Sequence, residues 1–243
     1  IWGAFSVQLL RGLGSPVPLR VGVAAYFVSQ FGKYVPGKVM VLVLRMALLR
    51  RHGLSPAVVG VTATYDALVS MAAGALLGVA LLPWAGLGFE AGSLAWAGLV
   101  AVGGAPLGVG LLHRVAARVA DRRRGPDARP LPTPSLRLLA RGLLQAVGGW
   151  CLLGLSLWAC LRGLSVGPPA LTPDRYLEDL AAAALSYVAG FVMVFTPGGL
   201  GAREWVLQEV LTRQLAPTEG SSAAAAAVVA ALVLRLVWTA FEV

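Results

Sequence analysis

Seven charged residues lie within or against long apolar stretches of this sequence: Lys33, Lys38, Arg45, Asp66, Arg203, Glu204 and Arg235. A charge at the centre of a membrane helix costs about 2.5–3.5 kcal/mol even on the lenient insertion scale. Such residues are therefore expected to face a polar cavity or one another. Lys38 directly follows Pro36-Gly37, and Arg203 closely follows Pro197-Gly198-Gly199-Leu200-Gly201. Each Pro-Gly break opens a new helix N-terminus, whose free N–H groups and dipole attract anions. Gly198, Gly199 and Gly201 let a bulky anionic group approach the backbone. The chemistry that suits this set is binding of a phosphate-sized anion deep in a membrane, with a phospholipid headgroup as the obvious candidate.

Blander roles compete for each charge. Arg45 stands within two turns of Arg51 and can snorkel to the cytoplasmic surface, as can Lys33. Asp66 and Arg235, near the middle of long apolar runs, have no such escape. A structural Asp–Arg or Arg–Glu pair would fix helix packing instead. Glu204 reads as the partner of Arg203 or Lys38, or as a lone base. No HExxH, GxSxG, Walker loop or acidic metal cluster occurs. His52 and His113 sit at helix ends beside arginines with nothing to complete a metal site. The chain is expected not to be an enzyme and to carry no cofactor.

The elements that hold these charges must be membrane helices. Hydrophobic residues make up 58% of the 243 and charged residues 13%, with mean hydropathy +0.77. Soluble domains carry about 25% charged residues. Apolar runs of about 20 residues, the length that crosses a bilayer core, alternate with short segments holding most of the arginine. The net charge of +9 gathers in inter-helix loops without an aromatic-studded basic face, so nucleic acid is not an expected partner. Cys151 and Cys160 share one helix, half a turn out of phase, and read as packed thiols rather than a disulfide.

Along the chain, 1–10 reads as the tail of a truncated helix, not a signal peptide. Residues 17–35 and 39–49 are two helical pieces around Pro36-Gly37. Full spans are expected at 56–82, 92–112 and 138–161, with a basic, Pro-rich cytoplasmic loop over 113–137. Residues 163–175 form the next loop. Pieces at 176–195 and 202–215 flank the second break, and 221–241 is the last span. The basic turn at Arg50-Arg51 and the loop 114–141 face the cytoplasm, which orients a multi-pass protein in the cell inner (plasma) membrane.

The two broken segments share a pattern: half-helix, Pro-Gly break, half-helix, turn, then a long span carrying one charge, Asp66 or Arg235. Pieces this short suit re-entrant hairpins. Three spans separate them, so they enter from opposite faces. The expected fold is one all-α transmembrane domain over 1–243, a helix bundle with two inverted-topology re-entrant hairpins meeting near the bilayer midplane. Pro-Gly that merely kinks ordinary membrane helices is the plainer alternative.

The pairing of Gly32-Lys33-Tyr34-Val35-Pro36-Gly37-Lys38-Val39, followed by an Arg, with Thr196-Pro197-Gly198-Gly199-Leu200-Gly201-Ala202-Arg203-Glu204 resembles the flippase-like domain of the lysylphosphatidylglycerol synthase transmembrane family. That family includes the membrane half of the multiple-peptide-resistance proteins and many stand-alone homologues. The resemblance runs from about residue 21 to 242, and the Ala-rich helix with the lone Arg235 fits it. It implies translocation of a lipid, such as an aminoacylated phosphatidylglycerol, between leaflets. It places the signature loops on 33–38 and 197–204, and the acidic residue after the first on Asp66. Without the family's aminoacyl-transferase domain, synthesis of the modified lipid is not expected of this chain.

The leading expectation is a lipid translocase without ATP hydrolysis, taking an anionic or aminoacylated phospholipid, or a related phosphate-bearing lipid. Lys38, Arg203 and Arg235 would hold the phosphate, while Asp66 and Glu204 position them or meet a cationic headgroup. A small-anion or proton-coupled transporter, and a non-transporting subunit of a lipid-modifying system, are the alternatives. The expected partners are the phospholipid substrate and either further copies of the chain or a separate lipid-modifying enzyme.

Overall fold

The computed structural model describes residues 1–35, 39–85, 134–168, 170–193 and 199–242, and these are helical without a strand. Nine helices run in chain order among them: α1 (Trp2–Gly12), α2 (Leu19–Gln30), α3 (Val39–Arg50), α4 (Pro56–Ala80), the short α5 (Leu82–Ala85), α6 (Leu136–Gly163), α7 (Pro173–Val192), α8 (Ala202–Glu219) and α9 (Ala223–Glu242). Pro56–Ala80, Leu136–Gly163 and the stretch Ala202–Ala240 are long and apolar enough to cross a membrane. The last of these folds back on itself at Gly220, whose φ is +56°. The expected span at 92–112 and the loop at 113–137 lie outside the described residues.

Local sequence sets the helix starts. Ser55 accepts a hydrogen bond from the Val58 N–H and is followed by proline at the first helical position. Thr172 does the same for Arg175 ahead of Pro173. Both arrangements satisfy an N–H that the helix leaves open. The second carries a correction: Arg175 is not in a loop but in the first turn of α7, so this helix begins three residues before 176.

Two trios of helices share one plan. In the first, α2 and α3 form an antiparallel hairpin across the break, and α3 returns antiparallel against α4. In the second, α7, α8 and α9 do likewise. Close approach at each hairpin end is possible because glycine stands there. A Cβ on Gly32 would lie 2.3 Å from the Val41 nitrogen, and one on Gly199, at φ +75°, would lie 2.7 Å from the Gly190 carbonyl oxygen. The limbs are unequal. Twelve residues in α3 reach about 18 Å, whereas 20 in α7 and 18 in α8 reach about 30 and 27 Å. The first limb, α7, is as long as the expected 176–195 piece but begins three residues earlier, and the second, α8, runs four residues past the expected end at 215.

Packing is dense and built on small residues, as suits helices that associate without a hydrophobic drive in lipid. Phe5, Leu9, Leu10, Leu49 and Val59 form one core among α1 to α4. Leu157, Leu211, Leu215 and Leu234 form another among α6, α8 and α9. Trp150 joins them: its ring fills the space beside Gly74, its indole N–H donates to the Ser70 carbonyl at 3.0 Å, and Ala181 and Ala184 complete the layer. Leu144, Leu152, Val192, Leu232 and Leu236 point outward, the apolar surface of a membrane-embedded bundle.

Candidate functional site

A cavity of about 360 Å³ lies between the two trios. Its polar lining includes Lys33, Arg45, Asp66 and Arg203, and its aromatic walls are Trp2, Tyr26, Trp150, Tyr187 and Phe191. Residues from four separated parts of the chain thus meet in one space.

Arg45 is turned inward, 3% exposed, so it does not snorkel to the surface. Its Nη1 donates to Asp66 Oδ2 at 3.1 Å, its Nε to Ser29 Oγ at 3.0 Å, and its guanidinium lies 4.6 Å from the centroid of the Tyr26 ring. The reason is that α4 places Asp66 opposite α3, and a buried carboxylate with hydroxyls beside it outcompetes a long reach to water. Lys33 sits in the 3-10 turn Phe31–Tyr34 that ends the first limb, with Nζ 5.3 Å from the Tyr34 ring centroid.

Arg203 lies in the first turn of α8, 8% exposed. Its guanidinium is held between two rings, 4.1 Å from the centroid of Tyr187 and 4.0 Å from that of Trp238. The two rings are tilted 55° to each other with centroids 6.1 Å apart, and a desolvated cation over aromatic faces gains about 2 kcal/mol or more. Trp238 is fixed in turn by its indole N–H donating to Ser156 Oγ at 2.9 Å.

Glu204 and Arg235 have different duties from those expected. Glu204 Oε2 accepts the Gly201 N–H at 2.7 Å, capping α8 where Gly201 turns at φ +87°. Its Oε1 lies 3.2 Å from Arg235 Nη1, so among the described residues it forms an ion pair with Arg235. Arg235 does not line the cavity. It occupies a small crevice with Leu207, Leu234 and Trp238, which shares Arg203 as a wall. Gly199 and Gly201 shape the turn before α8, while Lys38, Pro197 and Gly198 lie outside the described residues.

Sequence reasoning missed the rings and one ion cluster. Tyr26 and Tyr187 each stand ten residues before the proline of their break, a spacing that would have marked them as equivalent. At the far end of α7, buried Arg175 pairs with Glu178 at 3.0 Å and with fully buried Asp179 at 3.3 Å. The i, i+3, i+4 spacing is readable in the sequence, but a loop over 163–175 places Arg175 off the helix and hides it. Among the described residues no group of three His, Cys, Asp or Glu is placed to hold a metal, and both cysteines are free thiols.

Residues 2–241 match the family model described as "Lysylphosphatidylglycerol synthase TM region". No curated protein and no solved structure matches the chain significantly.

Proposed function

This chain belongs to the lysylphosphatidylglycerol synthase transmembrane family, and from that premise we propose that it is a lipid translocase that carries a phosphate-bearing headgroup across the bilayer. The observation that carries this reading is the cavity itself, where Lys33, Arg45 and Arg203 meet and half-exposed Phe191 lines the wall, with exposed Phe31, Val35 and Val192 close by in the chain to Lys33 and Phe191. A headgroup held by the cations can keep its acyl chains against those exposed apolar residues and in the lipid. The fit is to binding and movement, without a covalent step or a cofactor. The two trios rock as inverted repeats around the site, with the basic loops at 50–51 and 114–141 on the cytoplasmic side of the inner membrane.

The test is exchange of fluorescent phospholipid between leaflets of liposomes holding the purified chain. Wild type should accelerate exchange, and Arg203→Gln should reduce it at least about tenfold while the protein stays folded, because the cation is removed from a desolvated site. Unchanged exchange in the folded variant overturns the reading.

A second reading has its own support. Both Arg45–Asp66 and Glu204–Arg235 are helix-to-helix ion pairs, as a non-transporting subunit of a lipid-modifying system would use. It expects exchange at the protein-free rate, and a stable complex with a lipid-modifying enzyme or with further copies of the chain.

A further inference from the structure

We infer that Asp179 is a proton-binding site: its carboxyl is held as the neutral acid between α7 and α8, and it gives its proton to water when the ends of those helices part.

Asp179 stands in the second turn of α7 and is wholly buried. Among the described residues its charged partner is Arg175, one turn back and 5% exposed, which it shares with Glu178. Glu178 has the better share. Arg175 Nη1 donates to Glu178 Oε2 at 3.0 Å, whereas Nη2 approaches Asp179 Oδ1 at 3.3 Å without forming a hydrogen bond. One guanidinium thus faces two carboxylates.

The described elements packed on α7 bring no second cation to this place. After Asp66, α4 carries no charged residue, and α5 carries none. On α6, Arg162 is exposed, and Cys151 and Cys160 are free thiols. On α8, Arg213 is half-exposed against Glu209, and Glu219 accepts the Gly167 N–H at 3.1 Å. Asp174, at the start of α7, accepts the Trp84 indole N–H at 3.5 Å. An unmatched buried carboxylate is costly, and a proton removes that cost.

Hydrogen bonding agrees with the charges. Asp179 Oδ1 and Oδ2 and Gln214 Oε1 are buried acceptors that receive no hydrogen bond among the described residues. Gln214 reaches α7 beside Asp179, since its Nε2 donates to the Glu178 carbonyl at 3.1 Å. Three acceptor oxygens thus lie at this interface without a donor, and a proton on Asp179 adds one.

The same interface fastens the two trios together. Gln214 Nε2 also reaches the Trp84 carbonyl at 3.5 Å, so α5, which follows α4, is tied to α7 and α8. An ionised Asp179 needs water, and water reaches it when α7 and α8 part. That parting frees Gln214 and loosens the tie to α5. The proton therefore favours the fastened state, and its loss favours the loosened one. Arg175 stays with Glu178 in both.

Infrared difference spectroscopy of the purified full chain at neutral pH, wild type against Asp179→Asn, tests the site. Wild type should show the carbonyl band of a protonated carboxyl that the variant lacks. Asparagine is an isostere of the neutral acid, so the two should melt at the same temperature. Absence of the band would overturn the proposal, as would much earlier melting of Asp179→Asn, the mark of a lost buried ion pair. Glu178→Gln releases Arg175 to Asp179 and should weaken the band; an undiminished band there would overturn the sharing of Arg175. The effect on movement rests on the translocase reading above. With pH varied on both sides of the liposome together, exchange by wild type should rise with pH by at least about fivefold. Exchange by Asp179→Asn should stay at the low-pH rate of wild type. Identical pH profiles would overturn the link between the proton and the joint. No exchange by wild type at any pH would sink the translocase reading and leave the proton site standing on its band.

Discussion

Arg45 and Asp66 meet at 3.1 Å across the α3–α4 interface with their side chains 4% and 6% exposed. The pair joins the helix that follows the first break to the long helix after it. Glu204 and Arg235 make the same join in the second trio with the signs exchanged. Each trio is thus pinned by one ion pair, and each presents one arginine against a tyrosine from the limb before its break.

Removing one member of the first pair should be costly. Asp66→Ala leaves the Arg45 cation buried and is expected to destabilise by about 3–5 kcal/mol. Arg45→Met with Asp66→Leu should recover most of that loss, since a well-packed apolar pair often replaces a buried ion pair at little cost. Thermal unfolding in detergent checks it: a double variant no more stable than the single would count against this account.

Arg203 should be intolerant of lysine. Lysine keeps the charge but loses the broad guanidinium that lies within about 4 Å of both Tyr187 and Trp238. Lipid exchange by Arg203→Lys is expected to fall between wild type and Arg203→Gln, and Trp238→Leu should lower exchange as well. Equal exchange by lysine and arginine would show that only charge matters.

Glu204 has two separable roles. Glu204→Gln keeps an acceptor for the Gly201 N–H and loses the ion pair, whereas Glu204→Leu loses both. The cap alone is worth about 1 kcal/mol, so the leucine variant should unfold at a lower temperature than the glutamine one. Identical melting of the two would argue that the cap is not used.

Gly199 and Gly53 separate conformational strain from crowding. Both have positive φ, +75° and +79°, but a Cβ on Gly53 meets nothing within 4 Å while one on Gly199 strikes the Gly190 backbone. Alanine at either site costs about 1–2 kcal/mol for the left-handed backbone. Gly199→Ala should cost distinctly more and should reduce exchange, because it pushes α7 from α8 beside Arg203. Equal loss of stability in the two variants would remove crowding from the explanation.

The sequence by itself determined that this is a membrane helix bundle, where its helices break, and that its embedded charges must be sheltered. Those conclusions depend on the local cost of placing residues in lipid, and that cost is readable from a window of about 20 residues. The cap at Thr172 and Pro173 is also a local signal, although the sequence reading runs the loop on to 175 and starts this helix at 176. Only the tertiary structure decided which charge meets which. The five cations and two acids embedded in apolar stretches allow several pairings, and Coulomb attraction chooses among them by distance, which helix packing sets. Packing sent Arg45 to Asp66 and left Arg203 between two rings. It also removed Arg235 from the cavity to serve Glu204, a placement that no spacing along the chain foretold.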